Sequence, residues 1–268
     1  MAERVDLRGS EQTLLITLFL RERDARSAHP VLGDRFAGEV LARVDHDAGA
    51  LRWFSSDVVT ICARARRLDD WTRSFLDEHR EGQVLHLGCG LDSRPLRLDR
   101  PPGSRWIDVD LPRVADLRRR VHDLPDDVEV VGASVGDPQW WERVDTDRPT
   151  LALAEGLLMY LPPADVDGVL DRLVARCAGG VLAFDALSPW VLPVSNAAFG
   201  LTTVDTRFTW GYDRDALRAR HPRLRELDDV RVTDLGAQAT TGPWHLVYRA
   251  FDTVPYLRDA MRLHRYVF

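Results

Sequence analysis

The sequence predicts an α/β fold, a doubly wound and mostly parallel sheet with helices on both faces. Two observations carry that prediction. After Gly82, apolar runs of strand length alternate with stretches of helical spacing. The runs are apolar throughout rather than every second residue, as strands covered on both faces must be. A third observation bears on function: the first run ends in a Gly-x-Gly turn, "VLHLGCGLDSR", from Val84 to Arg94.

The first eighty residues read as helical. "EQTLLITLFL" (11–20) forms an amphipathic helix behind a Ser10 cap, and "DRFAGEVLARV" (34–44) has helical spacing. "VVTICARARRLDDWTRSFLDEH" (58–79) is one long helix with a stripe of Val59, Cys62, Leu68, Trp71 and Phe75. The strands are "QVLHLG" (83–88), "RWIDVD" (105–110), "DVEVVGA" (127–133), "TLALAE" (150–155) and "GVLAFDA" (180–186). Between them lie helices at "LPRVADLRRRVHDL", "PQWWERV" and "PADVDGVLDRLVARC". Downstream, "RDALRARHP" reads as a helix, "LRELDDVRVTDL" (224–235) as a strand region and "LHRYVF" as a closing strand. With no repeat, low-complexity tract or long linker, residues 1–268 make one domain: a helical part (1–80), a ligand-binding core (81–186) and a closing, substrate-side part (187–268).

Hydrophobic content of 45% and charged content of 29% fit an ordinary globule, and a net charge of −6 argues against nucleic acid as a partner. All 36 cationic residues are arginine. That excludes a Schiff-base lysine and a lysine-bearing phosphate loop. Cys62, Cys89 and Cys177 are too widely spaced for a zinc pair or a disulfide framework, so no metal is expected and a reducing cytoplasm is the expected setting. The N-terminal residues lack a signal-peptide pattern and the apolar runs are too short to span a bilayer, so no membrane is expected.

Ligands of such sheets bind beyond the carboxyl ends of the strands. Gly88 and Gly90 stand there, where glycine permits positive φ and close backbone approach; a tight turn with no ligand is the plain alternative. A dinucleotide turn wants a third glycine where this chain has Ser93, and Asp92 would repel a pyrophosphate. Asp108 and Asp110 fall on one face of the second strand, Asp110 nearer its carboxyl end and twenty residues past Gly90, where an acid can accept both hydroxyls of a ribose. An N-cap for the helix at Leu111–Pro112 is its structural alternative. A nucleoside without phosphates but with a positive centre suits this acid-rich turn, and S-adenosylmethionine (SAM) has that character.

At this point the chain resembles the leucine carboxyl methyltransferase family, in its bacterial branch of tetracenomycin-type polyketide O-methyltransferases. "LHLGCGLDSRPLRL", "IDVDLPRV" and above all "LALAEGLLMYLPP" carry the resemblance. It extends to "EQTLLITLFLRERDA", "HPVLGDRFA", "FDALSPW", "TRFTWGYD" and "LHRYVF". It implies a class I SAM-dependent, Rossmann-like methyltransferase with a mostly parallel seven-stranded sheet, an N-terminal helical addition and C-terminal cap elements. It also implies that Arg64 reaches the carboxylate of the SAM methionine part, that Gly88 packs against that part, that Asp110 holds the ribose and that Glu155 faces the ammonium and sulfonium side. One departure stands out: Ser134 and Val135 occupy the positions where much of the family places an Asp–Leu pair against the adenine, and Asp137 is a candidate substitute.

An acceptor carboxylate is already ionised at neutral pH, whereas a phenol or alcohol usually wants a base. No histidine pairs with an acid in any local spacing, and His86 reads as a core residue; His245 and His264 fall in the region of a cap. A carboxylate is therefore favoured over a hydroxyl. By the resemblance Tyr160 lies near it, with core or rim packing as the alternative. Trp190, Trp210 and Trp244 either line an apolar substrate pocket or pack the cap. The expected function is methyl transfer to a small natural-product or polyketide-type acceptor in secondary metabolism. A protein C-terminal carboxyl methyltransferase and a catalytically inactive binding partner of the same fold are the alternatives.

Overall fold

The structure, a computed structural model, describes residues 11, 13–46, 58–200, 206–240 and 243–268. In chain order the elements are α1 (Thr13–Ala25), α2 (Ala37–Arg43), α3 (Val58–Glu78), β1 (Gln83–Leu87), α4 (Arg94–Arg97), β2 (Arg105–Asp110), α5 (Pro112–Val121) and β3 (Val128–Gly132). A 3-10 turn (Gln139–Arg143), β4 (Thr150–Ala154), a second 3-10 turn (Leu158–Tyr160), α6 (Pro163–Arg176), β5 (Gly180–Leu187) and α7 (Val191–Phe199) follow. The chain continues through α8 (Arg214–Arg220), β6 (Arg225–Arg231), α9 (Val232–Ala239), α10 (Pro243–Thr253), α11 (Pro255–Arg258) and β7 (Met261–Val267).

The sheet has seven strands in the order β3-β2-β1-β4-β5-β7-β6. The first five are parallel, and β7 runs antiparallel between β5 and β6. Strand order reverses between β1 and β4, which opens a crevice at their carboxyl ends. Alternation divides the core. Leu85, Leu87, Ile107, Val109, Ala152 and Ala154 pack on one face with Val166, Val169, Leu170 and Leu173 of α6. Val84, Leu151, Leu153, Ala183 and Leu263 pack on the other with Leu68, Trp71, Phe75 and Leu76 of α3. A third cluster joins Leu18, Phe19 and Leu20 of α1 to Val40 and Leu41 of α2 and Leu117 and Val121 of α5, and so holds α1 over the crevice.

Three expectations are corrected. "LRELDDVRVTDL" is a strand only to Arg231, and Val232, Leu235 and Gly236 turn inward as the buried side of α9. Tyr248 of α10 packs where a Cβ on Gly236 would lie, 2.5 Å away. "PQWWERV" forms a 3-10 turn, with Trp140 and Trp141 buried under it. The helices α7, α10 and α11 had no expected counterpart. α7 exposes Val194, α10 exposes Leu246 and Phe251, and α11 exposes Tyr256 and Leu257, so none of them buries a full face in the core, although α10 is amphipathic and packs its Tyr248 on Gly236 of α9. The expected Ser10 cap lies outside the described residues. Among the described residues no helix is long and apolar enough to cross a membrane.

Candidate active site

Gly88 and Gly90 take φ values of 62° and 51°, the left-handed region expected of the turn after β1. The space beside each is used. A Cβ on Gly88 would lie 2.7 Å from Leu157, and one on Gly90 would lie 2.6 Å from Leu14. Asp110 closes β2 beside the turn. Its carboxylate accepts from the backbone N–H of Gly90 at 2.7 Å and of Leu111 at 2.8 Å. Leu111, not Asp110, is the N-cap of α5. Burial pushes the Asp110 carboxyl up to about 6, against the pull of those two backbone bonds.

Two cavities meet over this turn. One, of about 290 Å³, is lined by Asp110, Leu111, Ala133, Ser134, Val135 and Asp165 among others. The second, of about 300 Å³, is lined by Arg21, Arg64, His86, Cys89, Asp92 and Glu155, with an apolar wall of Ile16, Ile61, Met159, Phe208 and Met261. Thr13, Leu14, Gly88, Gly156 and Tyr160 line both. All eight site residues inferred from sequence thus fall at one crevice.

The floor of the second cavity is an ion-pair network. Glu155 binds Arg21 at 3.0 Å, Arg64 at 3.2 Å and Arg94 at 2.6 Å. Asp185 of β5 binds Arg64 at 3.0 Å and accepts from the Gly156 N–H at 2.5 Å. Asp92 binds Arg21, Arg94 and Arg97, and Asp69 binds Arg94 and Arg97. Asp34 adds a contact to Arg97 and accepts from the Ser93 hydroxyl. Burial works against the charges of Glu155 and Arg64, but their partners outweigh it. Arg21, Arg94 and Arg64 hold the Glu155 carboxyl down at about 2, while Asp185 and Glu155 hold Arg64 charged above its ordinary range. The planar, five-donor guanidinium fork lets one side chain bind carboxylates along two separate edges, with a fixed geometry that a lysine ammonium does not have. The Nε/Nη2 edge of Arg64 faces Glu155, while a Cβ on Gly156 would stand 3.6 Å and 4.0 Å from its two terminal nitrogens. Gly156, at φ 62°, puts no side chain against the two terminal nitrogens, of which Nη1 is held by Asp185 and Nη2 by Glu155.

Asp92, expected to repel a pyrophosphate, is paired with three arginines, which offset its charge. His86 does have an acid partner, Asp108, at 3.0 Å, though both are core residues and burial lowers the histidine's proton affinity. His245 bonds the Ala237 carbonyl, and His264 stacks on Tyr212 at 3.8 Å; neither lines the cavities. His264 approaches Glu226 and Asp229, but Arg214 and Arg262 already hold those acids. Trp210 packs against Phe184 in the core and Trp190 against Tyr256, while the Trp244 side chain lies outside the described residues. Phe208 and the two methionines line the cavity instead. Tyr160 packs on Phe208 with ring centroids 5.0 Å apart, and burial raises its hydroxyl's affinity for its proton. Ser134 is exposed at the rim. Asp137 caps the Gln139 N–H rather than facing the cavity, which removes it as the adenine-side substitute. Arg21, Asp185 and Asp165 were missed, because nothing in local spacing joins positions 134 or 121 residues apart.

The comparisons agree with this geometry. The family model for leucine carboxyl methyltransferase matches residues 16–174. The tetracenomycin polyketide synthesis O-methyltransferase TcmP of Streptomyces glaucescens is 39% identical over the whole of both chains. The S-adenosyl-L-methionine-dependent methyltransferase dpfgK of Gibberella zeae is 36% identical over 78% of each. Among solved structures, a DUF574 family protein from Streptomyces avermitilis shares the fold with a TM-score of 0.59 at 16% identity, covering 95% of this chain and 96% of its own. Magnesium protoporphyrin IX methyltransferase from Synechocystis does so with a TM-score of 0.50 at 10% identity, covering 94% and 99%. A class I methyltransferase sheet, a glycine turn tied to the acid that ends β2 and a full-length relative of this kind lead to one conclusion: the chain belongs to the leucine carboxyl methyltransferase family.

Proposed function

We propose that this chain is a SAM-dependent O-methyltransferase that methylates a carboxylate, in preference to a hydroxyl, on a small polyketide-type acceptor. The observation that carries the reading is the pair of cavities joined at Gly88, Gly156 and Tyr160, with the Asp110 carboxylate in one and the Arg64 guanidinium in the other. The donor set suits SAM: Asp110 for the ribose hydroxyls, Ser134 and Val135 beside the adenine, and the Arg64 guanidinium, which lines the second cavity, for the carboxylate. Gly88 and Gly90 keep the turn low beneath it, and Glu155 faces the ammonium side. When bound, SAM supplies a methyl group on a sulfonium, open to in-line attack.

The protein's work is positioning and exclusion of water. Ile16, Ile61, Met159, Phe208 and Met261 make an apolar wall for the acceptor, and the Tyr160 hydroxyl orients its carboxylate. Among the described residues of that cavity, Asp92 and Glu155 are held by arginines, and the Nε2 of His86 faces the Arg94 guanidinium at 3.4 Å while burial lowers its proton affinity, so none of these three stands ready to take a proton. That supports an acceptor that arrives ionised. Cavities of about 290 and 300 Å³ support a small molecule over a protein C-terminus. Residues 187–268 supply the acceptor side, through Phe208 and Met261.

Calorimetric titration tests the cofactor: S-adenosylhomocysteine (SAH) binds and NAD does not. Silence toward SAH refutes the reading. Methylated product releasing methanol in mild alkali identifies an ester; an alkali-stable methyl group refutes the carboxylate assignment.

A further inference from the structure

Adenine presents an exocyclic amino donor, and a site that selects it needs an acceptor opposite. Besides Asp110, the lining of the cavity on the adenosine side carries the polar side chains of Glu11, Thr13, Ser134, Tyr160 and Asp165; Thr13 and Tyr160 are shared with the other cavity and Glu11 acts on Asp110, which leaves Ser134 and Asp165 at the turn after β3. Ser134 is exposed, and its hydroxyl is engaged by the Gly136 N–H at 3.4 Å. Asp165 differs. It sits in the first turn of α6, where the helix dipole favours a carboxylate. Its carboxylate lies against the 134–136 turn. A Cβ on Gly136 would stand 3.0 Å from its Cγ and 3.3 Å from each oxygen, so the missing side chain at 136 makes the room it occupies. Among the described residues it has no arginine within ion-pair distance, whereas Asp34, Asp69, Asp92, Glu155 and Asp185 around the other cavity are all arginine-paired.

We infer that Asp165 is the specificity-determining residue for the base, its carboxylate accepting from the adenine amino group. The inference rests on the SAM reading above. Acid and turn have changed places: Ser134 leaves the rim without a carboxylate, and α6 brings one in from the next crossover.

The test is calorimetry on the full chain with SAH and with S-inosylhomocysteine, which carries a carbonyl where adenine has its amino group. Wild type favours SAH by about tenfold or more. Asp165→Ala loses about tenfold in SAH affinity and leaves S-inosylhomocysteine nearly unchanged, so the preference collapses. Asp165→Asn, whose amide can donate to the carbonyl, narrows the preference from both sides. Equal loss for both ligands, or no loss for either, overturns the inference while SAH binding by wild type keeps the methyltransferase reading intact. Wild type silent toward both ligands overturns that reading and this inference with it.

Discussion

At the scale of single residues, Asp110 has the most to give away. It is buried and tied to two backbone N–H groups, and its carboxyl is held up to about 6. The ionised form is the better acceptor for ribose hydroxyls, so cofactor binding and deprotonation are linked. SAH affinity is therefore greatest above pH 6 and falls as the pH drops through that value, at up to about tenfold per unit. Asp110→Asn removes the inflection and weakens binding by about 2 kcal/mol at neutral pH, the worth of a charged hydrogen bond. Titrations between pH 5 and 8 check both. This residue was legible because its role depends on its distance from Gly90 along two adjacent strands. Arg21, Asp185 and Asp165 were not, because their partners are set by packing of α1, β5 and α6 over the crevice, which no spacing encodes.

At the scale of elements, α5 clamps the turn from below. Arg118 is fully buried; its Nε donates to Asp108 at 2.8 Å, and its Nη1 donates to the carbonyls of Gly90 at 3.0 Å and Asp92 at 2.7 Å. Arg118→Leu strands Asp108 and two carbonyls and costs about 3–5 kcal/mol. Arg119→Ala, one residue along on the exposed face, changes stability by less than about 0.5 kcal/mol. Denaturant midpoints of the two variants separate these outcomes. The parallel strands and α3 were readable because their apolar runs and stripe are long. α9 was misread because a strand and a helix follow each other at Arg231 with no glycine or proline between them. The exposed helices α7 and α11 are short and lack a periodic core face, so pattern could not find them, whereas the amphipathic pattern of α10 was present and went unread.

At the scale of the whole molecule, a ligand bound between α1, the turn after β1 and the turn after β4 joins parts distant in sequence, so its binding energy adds to global stability. At one hundred times its dissociation constant SAH contributes about 2.7 kcal/mol, which raises Tm by about 5–10 °C. Differential scanning fluorimetry reads the shift, and NAD at the same excess produces none. The order of the sheet also has a consequence for biosynthesis. Strands β1 to β5 find parallel neighbours among segments already made, but β6 pairs with β7 and, among the described strands, with no other. While residues 261–267 are still inside the ribosome, β5 keeps a bare edge and β6 has nothing to zip against. A nascent chain stalled there would display both edges to chaperones and proteases until the late antiparallel strand covers them.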